Sequence, residues 1–313
     1  MWDPDRIMRK VVFFLVPRLH LLDLAGPAQV FSTAADLGYG YELHYVAEVE
    51  EVSTAQGVPV KASLAWPELG RDDLIVVPGW RSPRLSPWPP ISARTKQVLR
   101  THHASGGSVA SVCSGADALG AAGLLDGRRY TTHHDLTEEL AARYPKASIV
   151  RDVLYVMDER VITSAGIASG IDLALHLVAV EHGAVAAARV AREMVVYARR
   201  NGDELQESAM LRHRGHLSDL AHRVQDVIDS RYADRLPLAD LARSAGVSER
   251  TLTRVFTAAT GLTPLRYQQL LRLERAEHLI AHGTTVESAS RVVGFEDPRM
   301  LRRLRSRTPA ATA

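Results

Sequence analysis

The sequence predicts two domains of different class. Residues 1–200 read as an α/β domain on a largely parallel sheet, residues 217–313 as an all-helical domain, and residues 201–216 as the linker between them. Three observations predict this. Short apolar runs alternate with helix-length amphipathic stretches as far as residue 200. No credible strand follows the polar stretch "NGDELQESAMLRHRGH". Two turn glycines, Gly246 and Gly294, recur in matching helical surroundings.

At 313 residues the chain is long enough to bury two cores. Apolar residues at 46% and charged residues at 24% are ordinary for a globular protein. A single cysteine excludes an internal disulfide and fits a reducing compartment. No run reaches the roughly 18 apolar residues of a membrane span. The opening "MWDPDRIMRKVVFFLVPRLHLLD" is broken by Pro17-Arg18 and lacks a small-residue cleavage site, so a cytoplasmic location with no membrane partner is expected. Charge is uneven: from His216 onward there are 15 Arg and 11 acidic residues, against 23 basic and 25 acidic residues before it. A basic tail domain behind a mildly acidic body points to nucleic acid as much as to a solvated surface.

The elements of the first domain follow in order. "KVVFFLV" (10–16) has the continuous apolar character of a buried strand, and "LDLAGPAQVFSTAADLG" is an amphipathic helix ending at Gly38. "YELHYVAE" (41–48) alternates as a strand does. "DLIVVPGW" (73–80) and "SVASV" (108–112) are strands that run into turns. "SIVRDVLYVMDERVITSAG" reads as a hairpin turning at Asp158-Glu159, and "ASGIDLALHLVAVEHG" and "AVAAARVAREMVVYARR" supply helices. Ligands of such sheets bind beyond the carboxyl ends of the strands, where the loops holding Asp23, Gly79-Trp80 and Cys113 meet.

Cys113 stands where an apolar strand turns through Ser114-Gly115 into a helix. That corner projects one side chain into the crevice under the field of a helix N-terminus, which predicts a lowered thiol pKa. The N–H groups of Ser114 and of Gly79 or Trp80 are candidate oxyanion or carboxylate donors. Burial as a small hydrophobe is the alternative.

These residues carry a family resemblance. "SVCSGADALGAAGLLDGRRYTTHH", with "LLDLAGPAQVF" upstream and "VITSAGIASGIDLALHLV" downstream, resembles the PfpI-type branch of the class I glutamine amidotransferase-like superfamily. Within it, the match is to the group of isocyanide hydratases and regulator sensor domains. The resemblance implies a flavodoxin-like sandwich, Cys113 at a nucleophile elbow, and Asp23 as the carboxylate facing it. Peptidase-like members place a histidine beside the cysteine, whereas Ser114 stands here. His133 and His134 are left either as a base or as part of a structural turn. Where the family shows Gly-Gly after its "VVP", this chain has Gly79-Trp80. The indole is either a pocket wall suited to a quaternary ammonium or plain core.

In the second domain "LADLARSAGVSERTLTRVFTAATGLTP" (238–264) has helix-turn-helix layout. Gly246 takes the turn, Ser248 caps the next helix, and Leu252, Val255 and Phe256 form its buried face. Glu249, Arg250, Thr253, Arg254 and Thr257 are left toward base edges or phosphates. After the long helix "PLRYQQLLRLERAEHLIA" the unit returns, with Thr285 as cap, Gly294 at the turn and Asp297-Pro298 opening the last helix. The doubled unit resembles the AraC family of transcription regulators over about 217–307, which implies two recognition helices in successive major grooves. The second unit departs from the family in having Leu301 and Arg305 where aromatic residues are usual, and "TPAATA" where a short helix follows. Arg299, Arg302, Arg303 and Arg305 therefore suit phosphate more than bases.

The leading expectation is a one-component, DNA-binding transcription regulator. Asp23, Gly79, Trp80, Cys113, Ser114, His133 and Gly166 would line the pocket for a small effector, of the nitrogenous kind the resemblance implies. Ser248, Arg250, Thr253, Arg254, Arg299, Arg302 and Arg303 would contact the duplex. The expected partners are double-stranded DNA, the effector, a second copy of the chain as a homodimer, and RNA polymerase; no cofactor or metal is called for. The alternative is a cysteine-dependent hydratase or amidase using Cys113 as nucleophile and Asp23 as general acid/base. A redox sensor built on Cys113 is the third option, without a resolving cysteine in the chain.

Overall fold

Strand β1 (Arg9–Leu15) lies inside a six-stranded sheet and is buried on both faces. In this computed structural model, which describes residues 8–81, 90–196, 200–206, 208–281 and 283–307, the chain forms two compact units, Met1–Gln206 and Glu207–Ala313.

The first unit follows β1 with α1 (Leu21–Asp36), β2 (Tyr41–Ala47), β3 (Leu74–Val77), α2 (Ala93–Ala104) and β4 (Ser108–Val112). Beyond Cys113 come α3 (Ala116–Ala121), α4 (Thr137–Arg143), β5 (Tyr155–Asp158), β6 (Val161–Ser164), α5 (Ser169–His182) and α6 (Ala184–Glu193). The strands lie in the order β2-β1-β3-β4-β6-β5. All pair in parallel except the β5/β6 hairpin, which turns with Glu159 at a positive φ of 53°. Strand periodicity of two divides the core. Val11, Phe13 and Leu15 pack on the α1, α5 and α6 side, while Val12, Phe14 and Val16 pack on the α2 and α3 side. The chain reverses its direction of travel across the sheet between β1 and β3, the place where ligands of such sheets bind.

The helix expected through residue 200 stops at Glu193. Val195 takes a left-handed φ of 55°, and the Val196 N–H donates to the Ala191 carbonyl at 2.8 Å, closing the helix end. The turn lets Met194 and Val196 pack onto the sheet core. Residues 197–199 of that expectation lie outside the described residues.

The stretch 201–216, expected to link the domains, is shared between the two units. The carbonyl of Gly202 accepts from Leu154 and Tyr155 at 2.8 and 3.1 Å within the first. Within the second, α7 (Ala209–Arg212) buries Ala209, whose N–H donates to Glu274 at 2.9 Å. Helices α8 (Asp219–Ser230), α9 (Leu238–Ser244), α10 (Glu249–Thr260), α11 (Pro264–Ala281), α12 (Val286–Val292) and α13 (Pro298–Arg307) complete the second unit. Gly246 and Gly294 turn the two helix-turn-helix units at φ +70° and +81°, conformations that favour glycine. The Ser248 and Thr285 hydroxyls each accept a backbone N–H of the following turn at 3.2 Å. Leu301 and Leu304 fill the core position of the second unit, and Arg305 stays outside beside Glu277. "TPAATA" lies outside the described residues.

Candidate ligand pocket and nucleic-acid interface

Cys113 adopts φ +55°, a strained value for a residue with a side chain. Two glycines make room for it, and a third for the carbonyl of Val77 beside the turn. A Cβ on Gly79 would sit 2.8 Å from the Cys113 Cβ and 2.5 Å from Asp23 Oδ2. A Cβ on Gly166 would overlap the Cys113 Cβ, and one on Gly115 would overlap the Val77 carbonyl oxygen. Asp23 enters from the first turn of α1 and is fully buried. Asp23, Gly79, Cys113, Ser114 and Gly166 thus meet at one point on the carboxyl edge of the sheet.

Electrostatics at this point depart from the expectation of an activated thiol. Burial, followed by the Asp23 charge, pushes the Cys113 thiol well above its ordinary range, against the pull of the Ser114 N–H. The helix behind it, α3, has only six residues, and the thiol is 6% exposed. Desolvation therefore outweighs the helix field, and the thiol is neutral. Burial likewise raises the Asp23 carboxyl to about 7, opposed by the Gly79 N–H and the Cys113 thiol that face it. Neither of those groups reaches full hydrogen-bonding geometry, so both carboxyl oxygens are buried without a partner among the described residues.

Ser114 and Trp80 are committed elsewhere. The Ser114 hydroxyl accepts from the Trp80 N–H at 2.7 Å and donates to the Trp80 carbonyl at 3.0 Å. The Trp80 N–H is therefore spent as an oxyanion donor. Its indole packs in the apolar cluster with Val16, Ile91 and Leu119. His133 accepts the Asp135 N–H on Nδ1 at 3.3 Å and lies against the His134 ring at 4.2 Å, as a turn residue does. Among the described residues, His133, His134 and Asp135 also form a group whose ligand atoms lie within 4.8 Å of one another, an arrangement able to hold a metal ion.

Two residues that sequence reasoning passed over connect this pocket to the end of the unit. The Thr132 hydroxyl donates to the Cys113 carbonyl at 2.9 Å. The Gln206 amide donates to the carbonyls of Thr132 and Val153 at 2.9 and 3.1 Å and accepts the His134 N–H at 2.9 Å. Its position in a polar, aperiodic stretch concealed it.

In the second unit α10 turns Leu252 and Phe256 inward. Arg250 and Arg254 are exposed and make no ion pair or hydrogen bond among the described residues; Thr253 is half-buried. Ser248 is occupied as a cap, also contacting the Thr251 hydroxyl at 2.9 Å. On α13, Arg299 and Arg303 are exposed, while Arg302 is paired with Glu287. An exposed pair of that kind is worth at most about 1 kcal/mol and yields readily to a phosphate.

Comparison with known proteins agrees with both halves. Residues 9–180 match the DJ-1/PfpI family, and residues 241–311 match a helix-turn-helix domain. The HTH-type transcriptional regulator CdhR of Pseudomonas aeruginosa is 28% identical over 91% of this chain and 84% of its own length. The isonitrile hydratase of Pseudomonas putida is 34% identical over 54% of this chain and 70% of its own. The crystal structure of an AraC family transcriptional regulator from Pseudomonas putida superposes with a TM-score of 0.51 at 22% identity, covering 59% of this chain and 99% of that one, and shows a shared fold.

Proposed function

The chain belongs to the DJ-1/PfpI family and carries an AraC-type helix-turn-helix domain, and from that premise we propose a one-component transcription regulator whose effector enters the Asp23–Cys113 pocket. The observation that carries the reading is the outward face of α10. Among the described residues Arg250 and Arg254 have no partner, on a helix whose other face is sealed by Leu252 and Phe256, which leaves them for phosphates and base edges.

The pocket supports sensing. A neutral, buried thiol is a poor nucleophile, and the Asp23 carboxyl is uncharged for part of the population near neutral pH. An unpartnered buried carboxyl favours a ligand bearing a cation or an N–H donor, so small amines, betaines or amino acids suit it. An occupant would press on Cys113, whose carbonyl is tied through Thr132 to Gln206, the last residue of the first unit. The DNA-binding domains of a homodimer would then be reset, and RNA polymerase would read the result.

One observation favours a second reading. A carboxyl near pKa 7 beside a thiol is the equipment of a hydratase, and the isonitrile hydratase relative shares this half of the chain. Two measurements separate them. Arg250→Ala with Arg254→Ala in the full chain should abolish salt-sensitive binding to upstream regulatory DNA and leave ligand-induced thermal stabilisation intact. Unchanged DNA binding in that variant, or steady Cys113-dependent turnover of isocyanides by the wild type, would overturn the reading.

A further inference from the structure

The DNA-binding unit has two apolar cores rather than one, and both draw on α11. Tyr267 and Leu271 belong to the first core, and Leu273 and Ala276 to the second. Arg272 stands between them. Its Nε donates to the Tyr232 carbonyl at 2.6 Å, and its Nη2 to the Asp234 and Ala233 carbonyls at 2.7 and 3.2 Å. Its Nη1 donates to the carbonyl of Gly294, the turn residue of the second unit, at 2.7 Å. The guanidinium also lies 5.6 Å from the centre of the Phe295 ring. One side chain thus binds the loop before α9 and the turn before α13. At the same place a Cβ on Gly294 would overlap the Ala233 carbonyl oxygen, so the two backbones are in direct contact. Gln268, one turn earlier on α11, donates to the Tyr232 and Asp234 carbonyls at 2.8 Å each.

We propose that Arg272 is the positioning residue that sets the separation and angle of recognition helices α10 and α13, and with them the base-pair spacing the protein accepts. The inference rests on the reading of this unit as a DNA binder. A planar fork of five donors fixes direction as well as distance; an ammonium in its place is a point charge that satisfies fewer carbonyls. The cleft beside Arg272, about 990 Å³ and open between the two halves, would let water replace the lost bonds. Each half keeps its own apolar core, so losing the fork frees their relative orientation before it unfolds either.

The test uses the full chain and duplexes that the wild type selects from a random pool, with one or two base pairs inserted or removed between the two contacted segments. Wild type is expected to lose about tenfold or more in affinity at each wrong spacing. Arg272→Lys is expected to bind the best duplex about tenfold more weakly and to discriminate among spacings by less than about threefold. Should that variant fail to fold, Gln268→Ala is expected to show the same loosening at smaller size. Spacing discrimination equal to wild type in the folded variants, whatever their affinity or Tm, would overturn the proposal. Failure of the wild type to select any duplex would instead overturn the reading beneath it.

Discussion

Gln206 and Thr132, 74 positions apart, are joined by a 2.9 Å hydrogen bond from the Gln206 amide to the Thr132 carbonyl. Thr132 in turn holds the Cys113 carbonyl, and Gln206 is the last residue of the first unit. The residue beside the domain boundary is therefore wired to the candidate pocket. Gln206→Ala should leave both DNA affinity and effector binding within about threefold of wild type, since its bonds are few and partly exposed. The change in DNA binding on adding effector should shrink toward none. An unchanged response in a gel-shift titration would show that the signal leaves by another route.

Asp23 predicts a pH dependence with a definite sign. Its carboxyl titrates near 3.8 when unfolded and near 7 in the fold, so the folded state holds the extra proton between those values. The associated stability is fully present below about 3.8 and is lost as pH rises through about 7, on the order of 4 kcal/mol if Asp23 acted alone. Asp23→Asn cannot titrate. Urea unfolding of the two proteins at pH 5 and pH 8 should therefore show Asp23→Asn gaining on wild type by a few kcal/mol at the higher pH. A constant difference would mean that the carboxyl is not forced neutral.

Cys113 should be slow to react. Burial and the facing carboxyl hold it as a thiol, so iodoacetamide at pH 8 should label the native chain at least about tenfold more slowly than the urea-unfolded chain. Mass spectrometry of timed samples measures this directly. Equal rates would restore the reactive-thiol reading and with it the redox option.

Gly79→Ala should destabilise the first unit by about 1–3 kcal/mol, because the added methyl meets Asp23 at 2.5 Å and Cys113 at 2.8 Å. Gly70→Ala, whose methyl would find its nearest neighbour at an ordinary 3.6 Å, is the matched control. Comparable Tm values for the two variants would mean that the elbow has slack.

Gly294→Ala should damage the second unit more than Gly246→Ala. Both need a positive φ, but Gly294 also lies against the Ala233 carbonyl, while among the described residues nothing lies within 4 Å of a Cβ on Gly246. Thermal unfolding with the second unit's aromatic signal should rank them in that order.

Much of this was legible in the chain itself. The strand "VVFFLV" announced a two-faced core, and Ser248 and Thr285 announced helix starts with their own hydroxyls. Gly246 and Gly294 marked the doubled unit through the backbone conformation that only glycine adopts freely. That the Cys113, Gly79 and Asp23 loops share one edge followed from the strand ends, and that Asp23 faces Cys113 from the family resemblance. These are properties of short periods and single residues, and a sequence displays them directly.

The tertiary structure alone decided the chemical state of that corner. The thiol's charge depends on how much water reaches it, and the Trp80 N–H on a hydroxyl 34 positions away. The division of residues 201–216, the Gln206 tether and the Arg272 fork likewise rest on partners remote in sequence. Periodicity says which face of an element is buried; desolvation and hydrogen-bond partnership depend on what the folded chain brings against it.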